Sequence, residues 1–514
     1  MLILTAVWIL LLPCNLAEAT NVGSDLVVGI QSSKTLLIRP FDPQERDMLS
    51  VYNIVYESLV SIDDDYLPQP LLAQSWESSS SGAQWTFHLR EDVSFTNGQM
   101  LTAEDVVASA QYILDRATDE SITDHGFYGN LRYFISSIRA VDEHTVAIKT
   151  NRQCFGFLYA MTFPIVPASM VGSDSPPGTG PYAIREFHAG ERMWLRANES
   201  WWKAQPMVRD INFLFHDTAA GVMESYEYAR VDTVFTRSIA GAQYKTGTSS
   251  LAMRYRTNQL ECLLMNNQAT ELTLGVRQAI RFLIDKSRII SNVYSGLAVE
   301  TNFPFYPGTW MYNESLDSLF RRDVEEARRL LAEEGWEDSD ENGILDRMTS
   351  SGELRNLSLR FYYYEEPDND VRSEAVTIIT DALSQVGINC RVEPMTLSGV
   401  YDKIHAGSFD LALVSYAMDV CPDPGFLLMP GNTGNFVRYK SERMDQLCKD
   451  LRKELNYEGY RQKLMEIQNR FYEDCPFVCL YWRTGNVVSR YMYTSCRDVR
   501  EYELFRGIDR FGVQ

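Results

Sequence analysis

Apolar positions in this chain fall into two rhythms, and the points where one rhythm stops carry the most information. Phe409 to Tyr416 is almost wholly apolar, and a short apolar run bounded by turn residues reads as a strand buried on both faces. Asp419 follows, and Pro422, Pro424 and Gly425 prevent the strand from continuing. A carboxylate is thus delivered to the carboxyl end of a core strand, the edge at which open α/β sheets hold ligands. The plainer alternative is that Asp419 or Asp423 caps a helix beginning at Pro424-Gly-Phe-Leu-Leu-Met429.

The stretch before this strand has the same grammar. Leu357 to Tyr364 alternates as a strand. Arg372 to Val386 places Ala375, Ile378, Ile379, Ala382, Leu383 and Val386 on one helical stripe, and Gly387 is its stop. Ile388 to Val392 is a second strand and Val400 to His405 a short helix. The unit is β-α-β-α-β, which predicts a parallel sheet with crossover helices. Nearer the N-terminus, Ser24 to Ile30 is a first strand, Tyr52 to Val60 has helical spacing, and Trp85 to Arg90 alternates faces. Thr96-Asn-Gly98 marks a hairpin, and Thr102 with Glu104 and Asp105 opens a helix through VVASAQYIL.

A chain of 514 residues predicts two or three domains. The net charge of −21 argues against nucleic acid and anionic membrane surfaces as partners. Residues 1–19, MLILTAVWILLLPCNLAEA, hold an apolar run too short to span a bilayer. With the small-x-small pattern Ala17-Glu18-Ala19 they read as an export signal cleaved after Ala19; lipidation at Cys14 is the alternative. Cys154, Cys262, Cys390, Cys421, Cys448, Cys475, Cys479 and Cys496 remain, an even number that permits disulfides without choosing among them. No Cys/His cluster suggests zinc, the six histidines are scattered, and no GxSxG, HExxH or phosphate loop occurs. No catalytic constellation and no resident cofactor or metal is expected.

PLLAQSWE, WTFHLREDVSFTNGQMLTAEDVVAS (Trp85 to Ser109), GTGPYAIREF (Gly178 to Phe187), RANESWW (Arg196 to Trp202) and GVRQAIRFLIDKSRIISNVYSGLA (Gly275 to Ala298) occur in this order. VGINCRVEP, GSFDLALVSYAMD and NFVRYKSERMDQL come later. Together they resemble the family 5 bacterial extracellular solute-binding proteins, the dipeptide, oligopeptide and nickel receptors of ABC importers. The resemblance spans roughly residue 24 to the C-terminus. It implies an α/β, two-lobed periplasmic-binding-protein fold of the class II, or cluster C, type with an extra α+β domain inserted in lobe one. Lobe one would be 20–44, 165–250 and 482–514, the extra domain 45–164 and lobe two 251–481. A cleft between such lobes closes by hinge motion.

In peptide-binding members an aspartate after a buried strand pairs with the ligand's α-ammonium group, three positions after an aromatic residue. Tyr416-Ala-Met-Asp419 has that spacing, and a buried ammonium needs a paired carboxylate. Arg438, beside Tyr439 and Lys440, is a candidate for a peptide's terminal carboxylate, or a solvated turn. Tyr481 and Trp482 lie where the chain recrosses to lobe one and are expected at the cleft or in the core. Asp338 to Asp346 copies the front half of a calcium loop, but Thr349 stands where a bidentate glutamate belongs, which favours a plain turn. The expected protein is exported to the periplasm or the outer face of the cytoplasmic membrane and is monomeric. It captures short peptides for a membrane ABC permease without turning them over. The alternatives are another solute (nickel or another metal chelate, haem, oligosaccharide, an opine-like amine) or a secreted enzyme or chaperone.

Overall fold

Two long strands, Leu251–Met265 and Phe477–Ser489, run side by side and antiparallel through the middle of an 11-stranded sheet. The structure is a computed structural model describing residues 25–513 except 44, 119–126, 152–154, 248–249, 367–368, 492 and 495–498. The expected export segment, Cys14, His125, Cys154 and Cys496 lie outside the described residues.

On one flank of the pair lie Thr233–Thr236, Asp25–Gln31, Asp210–His216, Arg192–Ala197 and Tyr182–His188, in that order. On the other lie Leu411–Ala417, Ser358–Tyr364 and Asn389–Met395. The first crossing strand pairs with 484–489 through residues 251–256 and with 477–482 through 260–264, and the ladder slips between Arg256 and Leu260. An irregularity of this kind bends a strand and raises its local twist.

The β-α-β-α-β unit has the expected connectivity: Ser358–Tyr364 pairs in parallel with both Asn389–Met395 and Leu411–Ala417. Its apolar runs follow from burial on two faces. Ala412, Val414 and Tyr416 belong to one core with Leu260, Cys262 and Leu264. Leu411 and Leu413 belong to another with Leu263, Ile379 and Leu383. Successive strand residues point to opposite faces, so both parities must be apolar. Gly387 closes the Val371–Ser384 helix region at φ 86°, a conformation that costs a glycine little.

A separate four-stranded antiparallel sheet orders Ala73–Ser78, Gln84–Leu89, Thr145–Thr150 and Ile135–Asp142, with helix Ala103–Thr118 against it. The helix entry is fixed by Asp105, whose carboxylate accepts from the Thr102 backbone N–H at 2.8 Å and hydroxyl at 3.0 Å.

Residues 52–60 do not form the expected helix. The helix there is Arg46–Tyr52, followed by turns and the strand Val60–Ile62. The carbonyls of Ile54 and Val55 instead accept from Tyr182 at 3.1 Å and Gly180 at 3.0 Å. A Cβ on Gly178 would sit 1.9 Å from the Val55 carbonyl oxygen, so only glycine permits this approach. The cysteines Cys262, Cys390, Cys448, Cys475 and Cys479 are free thiols.

Segments far apart in the chain also meet around Phe155 and Trp310. The Phe155 N–H donates to the Glu454 carbonyl at 2.8 Å, and the Trp310 indole N–H donates to the Tyr66 carbonyl at 3.3 Å. Rings of Trp310 and Tyr460 lie 6.3 and 5.4 Å from that of Phe155.

Candidate ligand-binding site

Between the crossing strands and these bridging contacts lies a cavity of about 600 Å³. Its floor is the slipped ladder itself, Arg256, Thr257 and Asn258, with Trp482 from the second crossing strand. One wall is the strand end Ala417 to Pro424 with Pro304 to Tyr306; the other includes Glu57, Ser58, Val60 to Ile62, Tyr66, Trp201, Lys203, Arg500 to Glu503, Phe505 and Arg506.

Asp419 is placed by the strand before it. The Met418 N–H donates to the Asn258 carbonyl at 2.8 Å, extending the ladder one step past Ala417 and delivering the next side chain to the cavity. The Asp419 carboxylate is solvent-accessible and accepts from the backbone N–H of Cys421 at 3.4 Å and from that of Val420. It forms no ion pair among the described residues. The surrounding protein desolvates it and pushes its pKa above the usual carboxylate range, with only those two N–H groups opposing. Asp423 is used differently: it accepts from the Gly425 N–H at 2.9 Å, at the start of the short helix Gly425–Leu428, and pairs with Arg452 at 2.6 Å. Asp423, not Asp419, holds that helix.

Trp482 also lines the cavity; its indole N–H donates to the Phe305 carbonyl at 3.0 Å and its ring lies 5.6 Å from Tyr306. The other candidates lie elsewhere. Tyr416 is 6% exposed in the core, donates its hydroxyl to the Gly434 carbonyl at 2.9 Å and stacks on Phe436. The even-numbered face of an inner strand is simply covered. Arg438 is exposed in a turn at φ 57° and donates to the His405 carbonyl at 3.0 Å. Tyr481, 0% exposed, faces away from its neighbour Trp482, hydroxyl to hydroxyl with Tyr294 at 3.1 Å.

Several cavity residues were not anticipated. Glu57 accepts from the indole N–H groups of Trp201 at 3.3 Å and Trp202 at 2.9 Å; burial raises its pKa and the Trp202 bond opposes that. An acid inside the apolar run Val51 to Val60 was the available signal. Burial lowers the pKa of nearby Lys203. Arg500 is held by the Ile62 carbonyl at 2.7 Å, the Asp63 carbonyl at 3.0 Å and Glu503 at 2.9 Å. Arg256 lies with its guanidinium 5.6 Å from the Tyr66 ring and 4.8 Å from the Tyr306 ring.

Among the described residues the grouped carboxylates suited to a cation are Asp338, Asp340 and Asp346, far along the chain from the cavity. What this arrangement offers is a desolvated carboxylate and aromatic surface in a cavity between two halves, which is the equipment for holding a cationic group.

Residues 68–437 match the family model described as bacterial extracellular solute-binding proteins, family 5 middle. The chain belongs to this family. It is 22% identical over 511 residues to the oligopeptide-binding protein AppA of Bacillus subtilis (strain 168), covering 94% of this chain and 91% of that one. It is 24% identical to the nickel-binding periplasmic protein of Escherichia coli (strain K12), covering 70% and 69% of the two chains. Among solved structures it superposes on HbpA2 from Haemophilus parasuis with a TM-score of 0.80 at 20% identity, covering 95% of this chain and 99% of the other. As a family 5 protein it has the two-lobed α/β fold of these neighbours. No helix among the described residues is long and apolar enough to cross a membrane.

Proposed function

We propose that this family 5 protein captures short peptides in the cavity between its lobes and hands them to a membrane ABC permease. Asp419 carries the reading: a carboxylate at the cavity, desolvated by the surrounding protein and without a cationic partner among the described residues, is matched by a peptide's α-ammonium group. Trp482 supplies apolar surface beside it. The aromatic and backbone bridges around Phe155 and Trp310 keep such a ligand from water in this closed arrangement. Similarity to a protein named for oligopeptides supports the same choice. Others named for nickel and heme leave a metal chelate as the second reading; among the described residues that line the cavity there is no histidine.

The lobes are taken as 20–44, 165–250 and 482–514 for the first, with 45–164 inserted, and 251–481 for the second. The slipped ladder at 256–260 is their hinge. The protein works outside the cytoplasm as a monomer, exported by its first 19 residues, and releases its ligand unchanged. Native mass spectrometry of the purified protein, before and after exposure to a defined pool of di- to pentapeptides, tests this. Retained or captured intact peptide is expected. Capture of a metal chelate with no peptide, or release of cleaved peptide in proportion to protein, overturns it.

A further inference from the structure

The cavity holds a second charge of the opposite sign that the protein leaves unused. Its cationic residues are Lys203, Arg256, Arg500 and Arg506. Arg500 and Arg506 are saturated: both pair with Glu503, and both donate to the Ile62 carbonyl at 2.7 Å. Lys203 has Glu57 beside it as an electrostatic partner and its ammonium 4.5 Å from the Trp202 ring. Arg256 has neither. Its backbone is fully engaged, accepting from the Glu501 N–H at 2.7 Å and donating to the Val499 carbonyl at 3.4 Å. Its guanidinium makes no hydrogen bond or ion pair with any described residue.

What surrounds that guanidinium is aromatic. Tyr66, from the hairpin Val60–Ile62 and Pro68–Pro70, and Tyr306, from the opposite wall, lie 5.6 and 4.8 Å from it. Rings attract and orient a cation but take none of its five N–H donors, and those donors form a planar fork that fits a carboxylate. The backbone bonds of the slipped ladder fix where the fork starts. Asp419 and Arg256 are also close in the fold: Met418 bonds to Asn258, so the two charges stand one residue beyond and two residues before that bond on neighbouring segments. They do not pair with each other.

We infer that Arg256 is the contact for a ligand carboxylate, so that Asp419 and Arg256 together select zwitterionic ligands, free at both the amino and the carboxyl end. This rests on the peptide reading above. It names a residue on the hinge ladder, rather than the 438–440 turn, as the group that meets the negative end. A ligand held there touches both walls and the crossing strand at once, and its binding is tied to closure.

The test uses the full chain and three matched pools of di- to pentapeptides: unmodified, C-terminally amidated, and N-acetylated. Capture is read by native mass spectrometry and by competition calorimetry. With unmodified protein, amidation is expected to weaken capture by about 10- to 100-fold, the worth of a charge-assisted contact. With Arg256→Gln the amidated and unmodified pools should bind alike, while the penalty for N-acetylation stays. Arg256→Lys should restore part of the discrimination and guards against a loss caused only by misfolding, which a melting curve reads separately. Capture of unmodified peptide with no penalty for amidation overturns this inference and leaves the peptide reading standing. A penalty that survives unchanged in Arg256→Gln also overturns it, and assigns the carboxylate to Lys203. Capture of no peptide from any pool overturns the peptide reading itself, and this inference falls with it.

Discussion

Two acidic stretches of this protein look alike as strings and differ completely as chemistry. Asp338 to Asp346 gathers three aspartates, Asp338, Asp340 and Asp346, but the turn spends them on itself. Asp338 accepts from the N–H groups of Asn342 at 2.9 Å and Gly343 at 3.0 Å, and Asp346 accepts from the N–H and hydroxyl of Ser339 at 2.9 and 2.5 Å. Asp419 to Asp423 holds two, of which Asp423 is spent on Arg452 and the Gly425 N–H while Asp419 keeps its capacity. The lesson is that available charge, not charge density, marks a site. An acid whose lone pairs are filled by its own turn has little left for a ligand, whereas a desolvated acid without a cation gains most from meeting one.

The sharpest way to break that contrast is Asp419→Asn. If the carboxylate is the free partner of an ammonium, its loss leaves a buried cation uncompensated, at about 3–5 kcal/mol. Peptide affinity should fall by roughly two to four orders of magnitude, with little change in melting temperature. The N-acetylated pool, lacking the cation, should lose little more. Calorimetry with free and acetylated peptide closes the cycle, and additive effects would return Asp419 to a structural role.

Lys286 extends the comparison to a cation whose partners are all neutral. It is buried, donates to the Thr301 carbonyl at 2.7 Å and the Asn302 side-chain oxygen at 2.5 Å, and forms no ion pair among the described residues. Burial lowers its pKa to about 8 from 10.5, with Glu300, Cys479 and Asp317 opposing and Arg281 adding to the shift. Between those values the unfolded chain binds the extra proton, so this residue's contribution to stability rises with pH across the window. Relative to Lys286→Met, the unmodified protein should gain up to about 3 kcal/mol between pH 8 and 10.5. Parallel urea titrations at the two pH values would show it; parallel stability curves for the two proteins would contradict it.

Arg452→Met probes the spent member of the cavity pair. Asp423 and Arg452 are each about one-fifth exposed at the side chain, so stranding the acid should cost about 2 kcal/mol, less than for a fully buried pair. Melting temperature should drop while the affinity of the folded protein for peptide stays within about threefold, a shift under 1 kcal/mol. A large loss of affinity at unchanged stability would make Asp423 a ligand group.

Much of the sheet was legible because its periodicity is local. The run Phe409 to Tyr416 and the stripe Ala375 to Val386 announce their burial by composition alone, and the structure places a strand and a helix there. The site was legible only where a strand end delivers it. Asp419 follows a readable strand, but whether Tyr416 or Trp482 reaches the cavity depends on which face of a doubly covered sheet the cavity adjoins, and apolar runs carry no face label. The 52–60 stretch misled because its carbonyls at Ile54 and Val55 bond to Tyr182 and Gly180, more than a hundred positions away, and not to the next turn of a helix. Arg256 and Glu57 were missed for the same reason: what makes them cavity groups is the ladder slip and the Trp201–Trp202 pair, both products of tertiary pairing.

The smallest expected effect belongs to calcium at Asp338 to Asp346, and a null result there is as informative as the large loss at Asp419. A calcium ion takes six to eight oxygens and gains most from a bidentate carboxylate at the close of its loop. Here Thr349 occupies that position, and its hydroxyl lies 2.8 Å from that of Ser351. To bind an ion, Asp338 and Asp346 would first release the four hydrogen bonds that shape the turn, including those to the Gly343 N–H at φ 83° and to Ser339. Their loss at about 1 kcal/mol each offsets much of what a site with an incomplete oxygen set returns. Chelator followed by millimolar calcium should therefore move the melting temperature by less than about one degree. A rise of several degrees on adding calcium, lost in Asp338→Asn, would mean that the turn gives up its own hydrogen bonds for the ion. The contrast between a spent acid and an available one would then fail at the place where it was drawn most plainly.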